Sequence, residues 1–277
     1  MSETKISIRD LRKAFGPKQV LDGVHVDVAA GESLVVIGGS GTGKSVLLKH
    51  IIGLLRPDSG SIVIDGQAVE TLGNREITEF RRKFGMSFQE GALFDSMTVW
   101  QNVAFPLQRL TRMSRREIDE RVKECLELVR LDAVEEKLPS QLSGGMRRRV
   151  GFARAIAHKP EILLFDEPTT GLDPVTTALI DEVIIDLNDR LKSTTVTITH
   201  DMESAFRIGD RIAMMHKGKI IASAPPAEFR GLEDPRVQQF IHGRAEGPLS
   251  EDNPPARKGP EDQAAEPALG EVSWRKR

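Results

Sequence analysis

A chain of 277 residues, 39% hydrophobic and 29% charged, is long enough for one large domain or two small ones with real cores. A net charge of −2 gives no overall field favouring nucleic acid or an anionic membrane, and a single cysteine excludes an internal disulfide. No apolar run approaches the roughly eighteen residues of a spanning helix, and Met1 to Ile6 reads as neither signal nor transit peptide, so any membrane role is expected to need another anchor.

The start of the chain reads as strand-rich. Ile6-Ser7-Ile8 and Val24-His25-Val26-Asp27-Val28 alternate as half-exposed strands do. Leu34-Val35-Val36-Ile37 is a continuous apolar run, the pattern of a buried strand, and Val46 to Leu55 carries the broad apolar face of a helix. Between them lies Gly38-Gly39-Ser40-Gly41-Thr42-Gly43-Lys44-Ser45, which matches G-x-x-x-x-G-K-[ST]. A strand that stops, a glycine turn and a helix that starts place backbone N–H groups and a positive dipole end at one point, and that point binds phosphate. Lys44 adds a mobile cation for the outer phosphates of a nucleotide, and Ser45 offers a hydroxyl to Mg²⁺.

Pro57-Asp58-Ser59-Gly60 reads as a turn and Ser61 to Gly66 as a strand with a turn after it. Gln89, following Met86-Ser87-Phe88, is a neutral amide able to reach Mg²⁺ or water. From about 90 to 160 the character is helical. Arg115 to Val129 sets Ile118, Val122, Cys125, Leu126 and Val129 on one face, with Cys125 as a small packed residue. Leu142-Ser143-Gly144-Gly145-Met146 joins a good N-cap to two glycines that let a phosphate approach the backbone, a second anion site far from the first. Arg147, Arg148 and Arg149 beyond it read as a solvated helix face.

Ile162-Leu163-Leu164-Phe165 is the continuous apolar run of a strand covered on both sides. Asp166 and Glu167 end it, which places acid at the carboxyl edge of the sheet, where α/β ligands sit. Asp166 is the candidate for the Mg²⁺ shell, and Glu167 the candidate to orient or deprotonate water. His200 follows the strand Thr195 to Thr199 and can donate to a γ-phosphate oxygen. A helix is expected from about Met202, and a hairpin of 212–215 and 219–222 turns at His216-Lys217-Gly218. The six histidines form no pattern expected of a metal site. Beyond about 245 apolar periodicity fades, and 251–277 reads as a disordered tail in which Trp274 is either solvated or a sticky anchor.

These pieces together resemble the nucleotide-binding subunit of an ATP-binding cassette (ABC) transporter over about residues 5–245. They stand in the family's order: the phosphate loop, Gln89, Leu142-Ser143-Gly144-Gly145, Asp166-Glu167, Gly171-Leu172-Asp173, His200. The resemblance implies an α/β fold of the P-loop NTPase, ABC ATPase type, in which a RecA-like core carries an antiparallel β subdomain and a helical subdomain at about 90–160. It implies ATP and Mg²⁺ as cofactors. Phe15 matches the aromatic that stacks on adenine, often Tyr in relatives, and Gly38 through Ser45 would hold the phosphates. Ser45, Gln89 and Asp166 would hold the metal. Glu167 would act on the attacking water and His200 on the γ-phosphate. Two copies would pair head to tail, with each ATP between Lys44 of one and Ser143, Gly144 and Gly145 of the other, and with Asp173 coupling the two sites. Closure of the pair would push a membrane permease.

Departures narrow the resemblance. Met146 stands where most relatives carry Gln, and Phe88-Gln89-Glu90-Gly91-Ala92-Leu93-Phe94 is unusual. Both are similar to ATPases that serve MCE-protein lipid transporters of the Mla phospholipid-trafficking type. Asp234-Pro235 through Gly247-Pro248 is similar to the tail of those ATPases. There Asp234 caps, Pro235 fits the first helical position, and Val237, Phe240 and Ile241 form an apolar stripe. This extension, about 232–250, either reaches across to the second copy or folds on its own domain. Phe94, Met97, Val99 and Trp100 either line a groove for a permease helix or serve the core. Pro139-Ser140 before Leu142 is similar to importer-like subunits. The resemblance therefore implies an ATP-hydrolysing subunit that powers phospholipid movement between inner and outer membranes. It would be a homodimer held peripherally at the cytoplasmic face of the bacterial inner membrane by permease subunits, with an MCE lipid-binding protein, a small STAS-domain regulator and no nucleic acid. The alternatives are an importer ATPase for another cargo, such as an amino acid or ion, and a non-transport ABC ATPase acting on ribosomes or DNA. A single cassette without heptad runs or a basic patch argues against the last.

Overall fold

Two long strands open the fold, β1 (Thr4–Phe15) and β2 (Lys18–Ala29), seen in a computed structural model that describes residues 3–251. Residues 252–277 of the expected tail, Trp274 among them, lie outside the described residues. The chain divides into two units, 1–232 and 233–277.

In the first unit, β3 (Ser33–Ile37) leads through the glycine loop into α1 (Lys44–Ile51). The helix stops at Ile51, short of the expected Leu55, because Gly53 adopts a left-handed φ of 69° just past its end. Next come β4 (Ser59–Ile64), β5 (Gln67–Ala68), α2 (Asn74–Arg81) and β6 (Phe84–Ser87). α2 is eight residues long and buries Phe80 alone. α3 (Val99–Leu110) and α4 (Arg115–Leu128) follow, and both begin with capping boxes, Thr98 with Gln101 and Ser114 with Glu117. α5 (Gly144–Ile156) completes the helical region. β7 (Ile162–Asp166), α6 (Pro174–Leu191), β8 (Thr194–Ile198), α7 (Met202–Ile208), the hairpin β9 (Arg211–His216) and β10 (Lys219–Ala224), and α8 (Pro226–Arg230) finish the unit.

β2-β1-β4-β5 form an antiparallel sheet. The alternation of Ile6 and Ile8 breaks at Asp10, whose φ of 46° marks an irregularity in both of β1's pairings. The expected turn at Pro57–Gly60 is half replaced by strand, since Ser59 and Gly60 belong to β4. The second sheet runs β10-β9-β3-β8-β7-β6, with β9, β3, β8, β7 and β6 all parallel and β10 an antiparallel edge.

One face of the parallel sheet presents Leu34, Val36, Ile162, Leu164, Val196 and Ile198 to a core shared with Leu47, Leu48 and Ile51 of α1 and with the apolar faces of β1, β2 and β4. The opposite face is also covered: Phe152 of α5 meets Phe165 of β7 edge-on, ring centroids 5.0 Å apart. Coverage on both sides explains why β3 and β7 are continuous apolar runs rather than alternating ones. In the helical region Ile118, Val122, Cys125, Leu126 and Val129 are all buried, as their spacing predicts. Val99 is core, whereas Phe94 is exposed and packs on Phe105 with ring centroids 4.9 Å apart.

In the second unit, α9 (Pro235–Ile241) and α10 (Pro248–Glu251) are joined through one side chain. The Gln239 amide donates to Arg244 O and Ser250 Oγ and accepts from Leu249 N. Asp234 caps α9 by accepting from Arg236 N, and Pro235 occupies its first turn, as expected. Within the stripe, Val237 is buried and Phe240 and Ile241 are half-buried.

Candidate active site

Parallel pairing gathers the site at one edge. Val36 of β3 and Asp166 of β7 both pair with Ile198 of β8, and Ser87 of β6 pairs with Phe165. Four segments therefore leave the sheet side by side: the glycine loop, the loop of Gln89, the Asp166-Glu167 turn and the residues Thr199-His200. The antiparallel sheet adds Phe15, Lys18 and Val20. Together they line a cleft of about 640 Å³.

The loop geometry is demanding. Gly43 has φ 107°, and a Cβ there would lie 2.8 Å from both Val20 O and Leu21 Cδ2. Gly38 has φ 150°, and a Cβ there would lie 2.3 Å from Met215 O. No other residue fits either position without moving backbone. Lys44 is buried, and its Nζ donates to Gly38 O at 2.7 Å and Gly39 O at 3.0 Å. Burial pulls its ammonium below the usual lysine value, with Glu167 and Asp166 acting against that. Ser45 Oγ donates to Asp166 Oδ1 at 3.2 Å. Burial raises the Asp166 carboxyl above its usual range, opposed by the Ser45 bond. Two hard oxygen donors thus meet beside the loop, where Lys44 and Lys49 offset only part of the cost of burying the carboxylate.

Glu167 sits in the left-handed region, φ 52°, a conformation a non-glycine residue holds only where its surroundings impose it. Its N–H donates to Ile198 O at 2.9 Å. Its Oε2 accepts from Thr170 Oγ1 at 2.8 Å and lies 2.8 Å from His200 Nδ1. The effect is to turn the carboxylate into the cleft while Asp166 faces Ser45, so the two adjacent acids point apart. Phe15 is 47% exposed at the rim, with Lys13 Nζ 5.7 Å from its ring centroid.

Ser143, Gly144, Gly145 and Asp173 do not line this cleft. They form a second group. Ser143 is exposed and caps α5 by accepting from Met146 N at 3.2 Å, while Asp173 caps α6 by accepting from Val175 N and Thr176 N. A Cβ on Gly145 would lie 2.5 Å from Thr176 Cγ2, so the turn of α5 rests directly on the start of α6. The arginines beyond are not a uniformly solvated face. Arg148 is buried with its guanidinium on backbone carbonyls, Arg149 donates to Arg130 O, and Arg147 donates to Leu142 O. Motif reading also missed Thr170, Lys18 and Val20. Thr170 had one available signal, its place three residues after Glu167. Lys18 and Val20 had none, because the antiparallel sheet brings them in.

The ABC transporter family profile matches residues 21–170. This chain belongs to the ABC transporter family. The cassette is 43% identical over 244 residues to the probable ribonucleotide transport ATP-binding protein mkl of Mycobacterium leprae, covering 88% of this chain and 70% of that one. It is 38% identical over 249 residues to the intermembrane phospholipid transport system ATP-binding protein MlaF of Haemophilus influenzae, covering 90% of this chain and 94% of that one. Among solved structures it is similar to a dimeric ATP-binding cassette in a post-hydrolysis state bound to ADP and Pi, with TM-score 0.74 and 34% identity over 80% of this chain and 98% of that one. The cassette is a nucleotide-binding ATPase of P-loop, mixed α/β architecture. No helix among the described residues is long and apolar enough to cross a membrane.

Proposed function

We propose that the cassette is the ATPase subunit of a phospholipid-moving ABC transporter, working as a head-to-tail homodimer on the cytoplasmic face of a bacterial inner membrane under a permease that serves an MCE lipid-binding protein. A STAS-domain regulator belongs to the same reading. The observation that carries the dimer is the division of the site into two groups on one chain. Lys44, Glu167 and His200 line a cleft that Ser143 and Gly145 do not enter, so a second copy supplies the missing wall. The observation that carries the cargo is the MlaF likeness, which spans 94% of that protein. The mkl likeness favours a different cargo, a ribonucleotide, but covers 70% of its relative.

In this reading, ATP stacks its base on Phe15 and lays its phosphates on the loop from Gly38 to Ser45. Ser45 and Asp166, with Gln89, would hold Mg²⁺, which would supply positive charge to offset that of the outer phosphates. Lys44 leaves the Gly38 and Gly39 carbonyls to reach the β- and γ-phosphates. Glu167 accepts a hydrogen bond from the attacking water, and His200 donates to the γ-phosphate. Asp173, at the start of α6, relays between the two sites. Domain limits follow: a cassette over about 5–245 with its helical part near 90–160, and an extension near 232–250 that contacts the second copy.

Purification from detergent-solubilised membranes tests the assignment. Recovery of a permease, an MCE protein and a STAS protein, with ATPase activity stimulated in phospholipid proteoliposomes, is the expected outcome. Recovery of a permease with a periplasmic solute receptor and no MCE protein would replace it with the other cargo.

A further inference from the structure

Arg148 lies on α5, three residues past Gly145, and is 7% exposed. Its Nε donates to Gln89 O at 2.7 Å, and its Nη2 donates to Thr170 O. Thr170 in turn donates through Oγ1 to Glu167 Oε2. A continuous line of hydrogen bonds therefore runs from the first turns of α5, capped by Ser143, to the loops that carry Gln89 and Glu167. The backbone is close enough to transmit a shift. A Cβ on Gly151 would lie 2.9 Å from Gly91 Cα, and Arg154 clamps the same loop by donating to Gly91 O and Ala92 O.

The bonding of Arg148 is unusual for a stabilising device. It reaches two neutral carbonyls, and its Nη1 is buried with no hydrogen-bond partner. Glu90 and Arg147 are the charges that face it, and they act in opposite senses. Burying a guanidinium on carbonyls alone costs stability that an apolar side chain would not. What the fork does provide is geometry: a planar group with fixed donor directions spans two loops, a direction that a rotating ammonium does not fix.

We propose that Arg148 is a positioning residue that links the Ser143–Gly145 turn to Gln89 and Glu167 of the same chain, so that engagement of the turn by one nucleotide sets the carboxylate that acts on the other. The proposal rests on the reading of Glu167 and Gln89 as site residues.

The test uses the assembled transporter and four variants: Arg148→Lys, Thr170→Val, the double variant and Glu167→Gln. Arg148→Lys keeps charge and most of the volume but loses the fork. It is expected to lower kcat roughly ten- to hundredfold, the effect of small misplacement of a reacting group, with KM and ATP affinity nearly unchanged. Thr170→Val keeps the carbonyl but loses the Oγ1 donation, and is expected to lower kcat in the same way. The double variant is expected to be no slower than the slower single, because both act through one line of bonds. Wild-type kcat in Arg148→Lys, or losses that multiply in the double variant, would overturn the proposal. If Arg148→Lys fails to fold, Thr170→Val decides alone, and wild-type kcat in that variant overturns it. Wild-type turnover in Glu167→Gln would instead reject the underlying site, which separates the two failures.

Discussion

His200 and Glu167 meet across neighbouring strand ends, with His200 Nδ1 2.8 Å from Glu167 Oε2, the oxygen that also accepts from Thr170 Oγ1. The histidine is largely exposed and the carboxylate largely covered. One group can thus reach outward to a phosphate while the other stays fixed behind it. Replacing Glu167 by Gln keeps the shape but removes the base. Turnover is expected to fall by about 10²–10⁴ while ATP still binds, and a closed dimer should accumulate with ATP on a sizing column. Turnover at the wild-type rate would reject the role.

Lys44 is held on the Gly38 and Gly39 carbonyls, close to where phosphates would sit. Lys44→Ala removes a charged hydrogen bond worth about 1.5–3 kcal/mol, hence roughly ten- to hundredfold in ATP affinity. Equilibrium nucleotide binding reads this directly, and normal affinity together with normal hydrolysis would exclude the loop as the phosphate site.

Asp181 on α6 is fully buried, and its Oδ2 accepts from Ser204 Oγ at 3.0 Å and Arg207 Nη1 at 2.7 Å on α7. Burial pushes its carboxyl up from an ordinary value of 3.8 to about 6, helped by Asp201 and opposed by Ser204 and Arg207. The folded chain therefore holds a proton between about pH 4 and 6 that the unfolded chain has released. Stability should fall as pH rises through that window and level off above it, by up to about 3 kcal/mol. Urea unfolding of wild type and Asp181→Asn from pH 4 to 7 checks this. The difference between them should change across the window, and a constant difference would contradict it.

Cys125 is buried in the helical region, and burial pushes its thiol up to about 12. At pH 8 roughly one thiol in ten thousand is then ionised, and the sulfur is shielded as well. Ellman's reagent should not label the native protein and should label one thiol per chain in denaturant. Prompt labelling of the native state would show that α4 opens readily.

Residues 234–250 are tied together by Gln239 and capped at Asp234, whose carboxyl the Arg236 guanidinium pulls down to about 2. Ending the chain at Glu233 should weaken pairing of the Glu167→Gln protein with ATP, read by sedimentation. Unchanged pairing would confine this unit to its own chain.

Local chemistry was legible wherever it is written in consecutive residues. The phosphate loop, the acidic strand end, the Ser143 cap and the apolar face of α4 are each short-range patterns. α6 was missed although Asp173-Pro174 announces it, because its two sides are nearly equally apolar. α2, eight residues long with one buried side chain, was also missed.

From the sequence alone came the identities of the groups proposed to meet nucleotide, because a strand–glycine–helix junction creates an anion site regardless of what surrounds it. Tertiary structure alone decided which of those groups share a cleft. Parallel pairing of β3, β8, β7 and β6 aligns four strand ends, and the antiparallel sheet adds Phe15 and Lys18. It also left Ser143 and Asp173 outside and turned Arg148 inward, since contacts between segments far apart in the chain follow from packing and not from spacing.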